Sequence, residues 1–301
     1  MCVSIGKPRV SLPLNAIGLA AAAVALLAAF AGPAAAVTVL AHFATGRTTS
    51  DGLGFDAATD KLYLSTESGV LTGNPQIYRY TRAGAYDGLT ISGPGTNGAA
   101  EADVSFTTAA FTLGGTSVPA GSMLFLNSHV TPNSVVSAVD KNTGTAFASV
   151  ATLAGHIFGG ASYSAARGSI FAVSYNDSLI YEINPTTGAT IATFDPGFNF
   201  NGAYCDVEVD GGGTVFLAAK SKLNEYTPTG ALIVSYDLSA LGISNVDGLA
   251  LDLGRKEVWV VAGNAGDLYQ LSGVAFVPEP ATGGLAALAL LALARRRRAR
   301  G

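Results

Sequence analysis

Between residues 37 and 276 the apolar positions come in short runs rich in Val, Ile, Leu, Phe, Tyr and Thr, separated by clusters of Gly, Asn, Asp and Pro. No stretch holds a 3.6-residue periodicity. This pattern predicts many short strands joined by tight turns. The runs also recur in order. "DGLGFD", "KLYLST" and "QIYRYT" from Asp51 are echoed by "DGLALD", "EVWVVA" and "DLYQLS" from Asp247. Related phrases begin at Ala161 and Cys205, and a looser one near Asp103. Anchored on the second strand, the copies centre on Tyr63, Leu124, Phe171, Phe216 and Trp259, at spacings of 61, 47, 45 and 43 residues.

Four strands repeating at this length predict an all-β chain, a β-propeller of five four-stranded blades. A single small antiparallel sheet cannot bury both faces, whereas blades arranged around an axis bury one another's. A sixth blade would have to hide in the insertion "TTAAFTLGGTSVPAG". The competing architectures are a β-sandwich and a β-helix. "DKNTGTA", "NPTTGAT" and "TPTGAL" read as turns between third and fourth strands, with Gly where a positive φ is required. The last repeat lacks a clear fourth strand, and "VTVLAHF" at residues 37–43 resembles the fourth strands "ATIATFD" and "ALIVSYD". The N-terminal strand is therefore expected to close the last blade.

Composition changes this picture at the two ends. Residues 14–36 form an apolar run after Lys7 and Arg9, broken by Gly32 and Pro33 and followed by Ala34 and Ala36 in an A-x-A cleavage pattern. This predicts a secretory signal helix over residues 1–36, with Val37 as the first mature residue. At the other end Pro278, Glu279 and Pro280 precede a 14-residue apolar stretch, 281–294, and then Arg295, Arg296, Arg297, Arg298 and Arg300. The stretch predicts a short transmembrane helix, below the ~20 residues that span a bilayer straight through. Its arginines belong on the cytoplasmic side. The domains are thus 1–36, 37–276 and 277–301.

Charge is as lopsided as hydropathy. Of 17 Lys and Arg, two precede the first apolar run and five follow the second, leaving 10; of 21 Asp and Glu only Glu279 lies in an end segment, leaving 20. The body therefore carries a net charge of −10, which repels phosphate backbones and disfavours a nucleic-acid role. Cys2 leaves with the signal, so the mature chain holds the single thiol Cys205 and no intramolecular disulfide. Cys205 reads as a small buried residue of a strand.

The repeat phrase resembles six-bladed propellers of the NHL, strictosidine-synthase and gluconolactonase kind, blade by blade rather than over the whole chain. In gluconolactonase-like enzymes an aspartate of such a D-G motif is a metal ligand, joined by a glutamate and an asparagine. By that resemblance Asp247 is the aspartate and Asn201 stands for the asparagine. Asp51 occupies the place of the missing glutamate. The structural alternative is that Asp-Gly caps a turn entering a strand. The sequence specifies no cofactor; on the resemblance, calcium or another divalent cation would sit at these three residues. His42, His129 and His156 show no ligand spacing, and no nucleophile elbow, P-loop or H-E-x-x-H is present.

The tail, with its Pro-Glu-Pro, apolar stretch and arginine cluster in order, resembles the PEP-CTERM sorting signal of Gram-negative bacteria. That resemblance implies entry through the Sec machinery, a transient inner-membrane intermediate, and processing by an exosortase near the motif. The destination it implies is the cell surface or the extracellular polysaccharide matrix, with exopolysaccharide or a surface protein as partner. The body is then expected to be a non-enzymatic binding or structural module. The alternative is a divalent-metal-dependent hydrolase of the lactonase or esterase type.

Overall fold

The computed structural model describes residues 36–66, 74–94, 101–128, 134–152, 155–262 and 266–276. Residues 1–35 of the signal segment, the tail from residue 277 and His129 lie outside them. Among the described residues no helix is long and apolar enough to cross a membrane.

The described residues form five four-stranded antiparallel sheets. Strand β1 (Thr38–Ala44) is set apart from the first blade, which comprises β2 (Ser50–Asp56), β3 (Lys61–Thr66), β4 (Gln76–Thr81) and β5 (Tyr86–Ser92). The second blade begins with β6 (Glu101–Phe106). A hairpin of β7 (Phe111–Leu113) and β8 (Thr116–Val118) follows before β9 (Met123–Ser128), β10 (Val135–Val139) and β11 (Ala146–Ala151) complete the sheet. The third blade is β12 (Phe158–Ser164), β13 (Ser169–Ser174), β14 (Ile180–Ile183) and β15 (Thr190–Phe194). The fourth is β16 (Cys205–Val209), β17 (Val215–Ala219), β18 (Lys222–Tyr226) and β19 (Leu232–Asp237). The fifth is β20 (Val246–Asp252), β21 (Glu257–Ala262) and β22 (Asp267–Ser272), and its outer strand is β1.

The insertion is therefore a two-stranded ribbon and not a sixth blade. Its Phe111 stacks on Tyr163 of the third blade at 3.9 Å, and Gly114 N–H donates to the carbonyl of Pro185. The ribbon clamps two blades from outside.

The predicted closure is present. β1 runs antiparallel to β22 from Thr38 opposite Ser272 to Ala44 opposite Asp267. The predicted glycine turns also fall between third and fourth strands. Gly144, Gly188 and Gly230 adopt φ of 74°, 73° and 90°, a region open to glycine at little cost. Asp140 and Asn184 side chains accept from the turn N–H groups ahead of the first two of these glycines.

Burial follows strand position. The first strand of each blade is enclosed almost throughout, while the fourth is largely exposed. Tyr63, Leu124, Phe171, Phe216 and Trp259 occupy one register position, opposite Gly54, Ser105, Ser162, Glu208 and Ala250 of the first strands. None is more than 1% exposed. Each joins a different apolar cluster, and each cluster lies between its own blade and the next. The core is thus five separate interfaces. Burying side chains of this size stabilises by about 1.5–3 kcal/mol apiece.

Candidate functional site: the carboxyl groups at the axis

The five first strands β2, β6, β12, β16 and β20 surround the axis, and four of them carry buried acidic residues: Asp51 and Asp56 on β2, Glu101 and Asp103 on β6, Asp206 and Glu208 on β16, and Asp247 and Asp252 on β20. A buried carboxylate is costly unless it receives hydrogen bonds. Here the donors come from the neighbouring blade. Asp51 accepts from the N–H of Ala102, joining the first blade to the second. Asp103 Oδ2 accepts from Ala161 N–H at 2.9 Å, joining the second to the third. Ser162 Oγ donates to Glu208 Oε2 at 2.6 Å, joining the third to the fourth. Asp206 Oδ2 accepts from Leu249 N–H at 2.6 Å, joining the fourth to the fifth. Hydroxyl groups add to the belt: Ser65 donates to the carbonyl of Ala102 and Ser105 to that of Ala161.

Glycines make this approach possible. A Cβ on Gly52 would meet Asp103 Oδ1 at 2.3 Å, and one on Gly160 would meet Asp206 Oδ1 at 1.8 Å. Between the fifth and first blades the backbones themselves close in, with a Cβ on Gly248 placed 2.8 Å from the carbonyl oxygen of Asp51. The two Asp-Gly pairs therefore do not cap turns. They sit inside β2 and β20, where the register shifts between Ser50 and Leu53 and between Val246 and Gly248, and the glycine is required by the adjacent blade.

Enclosure decides the ionisation of this cluster. Burial pushes Asp103 up to about 7, against the opposing hydrogen bonds from Ala161, Val104 and Leu53. Asp206 is raised well above the carboxylate range by burial and then by repulsion from Asp103 and Glu208. Burial likewise raises Glu208, with Ser162 pulling the other way. Burial also drives the Cys205 thiol up, reinforced by Glu101, Asp206 and Asp51. Cys205 is thus the enclosed small residue the sequence predicts, and a poor nucleophile.

The three residues singled out by resemblance fall in two environments. Asp51 and Asp247 stand at the starts of β2 and β20, buried at the same end of the ring. Asn201 is exposed on the loop leading into β16, its N–H donated to Asn199 Oδ1. Among the described residues no group of three or more His, Cys, Asp and Glu side chains is gathered as metal ligands would be. At the opposite end of the axis Phe55, Phe106, Leu251 and Leu253 rim a cavity of about 30 Å³ above Glu208, roughly the room of one water.

Away from the axis, a cleft of about 370 Å³ is lined by Asp177, Ser178, Leu179, Asp195, Phe198 and Asn199. Tyr181 donates to Asp177 Oδ2 at 2.6 Å, and His156 Nδ1 lies 3.3 Å from the same carboxylate. Burial would raise Asp177, yet the Tyr181 bond and its other donors hold it below its ordinary value. The sequence offered no spacing that would join His156 to this group. His42 instead stacks on Tyr269 at 4.4 Å in the closing strand pair.

Comparison with known proteins separates tail from body. Residues 276–298 match the PEP-CTERM protein-sorting motif. No curated protein matches the chain in sequence. Among solved structures, glutaminyl cyclase of Myxococcus xanthus is similar with a TM-score of 0.54 at 12% identity, over 79% of this chain and 96% of that one. A gluconolactonase of Xanthomonas campestris gives 0.49 at 13%, over 82% and 92%. A luciferin-regenerating enzyme gives 0.47 at 11%, over 80% and 96%. At such identities the likeness is one of fold. The chain carries a sorting tail on a propeller body, and the tail marks it as an exported protein processed at the membrane.

Proposed function

We propose that the mature protein is a binding or structural module of the cell surface or extracellular matrix, delivered there by an exosortase that reads Pro278, Glu279 and Pro280. The observation that carries the non-enzymatic part is the commitment of the axial carboxyl groups. At four blade junctions one of them bonds across to the neighbouring blade. Groups so held serve the fold, and moving them to serve a substrate would loosen the ring. The partner is exopolysaccharide or another surface protein. The polar cleft at Asp177 and Asp195 offers hydrogen-bond acceptors beside the exposed face of Phe198, a combination suited to hydroxyl-rich chains.

Two experiments test this reading. Replacing Glu279 by Ala should leave an uncut, membrane-bound form in a cell that carries the sorting enzyme, seen by fractionation and blotting. Normal release of that variant would remove the sorting assignment. For the body, metal analysis of the exported protein beside Asp247→Ala should find equal and negligible divalent metal. Stoichiometric metal lost on the substitution would instead establish the cation-dependent hydrolase.

A further inference from the structure

The body does not end at its last strand. After β22 the chain turns back onto the interface between the fourth and fifth blades. There Val274 is buried in the apolar cluster and Phe276 packs against it, its ring 5.4 Å from that of Phe216. Ala275 N–H donates to the hydroxyl of Tyr236 at 2.8 Å, and that hydroxyl donates in turn to Glu225 Oε1 at 3.1 Å. Residues 273–276 thus form a docked stem. Val37, the first residue after the predicted signal cleavage, packs on the same cluster.

The matched sorting motif begins at Phe276, the residue that ends the stem. Pro278 lies two residues further, at most about 7 Å of extended chain. With the stem docked, a protease reading Pro-Glu-Pro must work against the rim of the fourth and fifth blades. Peeling residues 273–276 away adds about 14 Å of reach.

We infer that the stem is an autoinhibitory contact: docked, it withholds the Pro-Glu-Pro motif from the sorting protease, and cleavage proceeds from the peeled form. This rests on the sorting reading above. Processing hydrolyses one peptide bond, water supplying the hydroxyl of the new carboxyl terminus and a proton of the new amine. The rate therefore scales with the population in which the motif is accessible.

A pulse-chase of export, in cells carrying the sorting enzyme, tests it. Phe276→Ala and Tyr236→Phe should each shorten the half-time of cleavage, roughly five- to ten-fold for loss of the Phe276 packing. A six-residue Gly/Ser insertion between Phe276 and residue 277 should do the same with the stem intact, and adding Phe276→Ala to it should bring no further gain. Tyr236→Phe keeps the ring in place, and the insertion leaves every residue of the body unchanged, so neither depends on a variant that fails to fold. Unchanged or slower cleavage in the insertion variant overturns the inference. Should the parent chain itself never be cut while Glu279→Ala behaves identically, the sorting reading has failed and the inference goes with it.

Discussion

Gly160 shows how tightly the ring is drawn at a single position. Its φ lies outside the left-handed region, so backbone freedom is not what requires glycine there. Space is: a methyl group would fall 1.8 Å from Asp206 Oδ1. Gly160→Ala should therefore destabilise the body by more than about 3 kcal/mol, through displacement of a buried carboxyl and its bond to Leu249. Gly254→Ala is the control, since the nearest atom to its Cβ would be Asp252 Oδ1 at 3.5 Å. Thermal unfolding of the two variants should separate them clearly; similar midpoints would show that the ring yields more easily than its geometry implies. The same residues explain what was and was not legible beforehand. Asp51 and Asp247 stand out in sequence because the Asp-Gly-Leu phrase repeats. Asp103 and Asp206 do not, because their partners Ala161 and Leu249 lie 58 and 43 residues away. A hydrogen bond from the backbone of another blade leaves no mark in local pattern.

At the scale of the element, the second-strand position was readable from spacing alone. It faces the next blade in all five repeats, so a large apolar residue recurs there whatever happens in the loops. The fourth strands were less distinct because most of their residues face solvent. β1 is the exception that matters. It holds by its ladder to β22 and by Phe43, which packs near Trp259 with ring centroids 5.8 Å apart. Phe43→Ala should cost about 2–3 kcal/mol, lowering the melting temperature by roughly 5–10 °C for a domain of this size. The loss should appear first as exchange of the β1 amides. Calorimetry with hydrogen exchange checks both, and global loosening without preference for β1 would count against its role as the closing strap.

For the whole molecule, the two populations of acidic groups set opposite pH limits. Asp103, Asp206, Glu208 and Glu225 are raised by burial, so the folded chain keeps protons that the unfolded chain has released. Their contribution is complete below the unfolded carboxyl range and is lost as pH rises from about 4 through the raised values, which for Asp103 and Glu225 are about 7. Burial raises Asp87, Glu182 and Asp252 too, but their arginine partners and other hydrogen-bond donors together outweigh it and hold all three low. That contribution exists above about pH 4 and fades as pH falls further. Stability should therefore peak near pH 4–5, below the usual optimum for globular proteins. Asp103→Asn should flatten the decline between pH 4 and 7. A series of melting temperatures from pH 3 to 9 decides the matter, and a midpoint that climbs steadily to pH 8 would refute it.

The pairing of β1 with β22 also imposes an order in time. Thr38 bonds to Ser272, 234 residues later, so the strand that emerges first during synthesis and export is among the last to find its place. The first four blades hold all their own strands and can assemble as they appear. The fifth cannot, and the ring stays open until residue 272 has crossed. Only the short stem then separates that moment from the arrival of the sorting tail. Completion of the fold and arrival of the address are thus nearly simultaneous, and a chain stalled midway through export carries neither a finished surface nor a signal to release it.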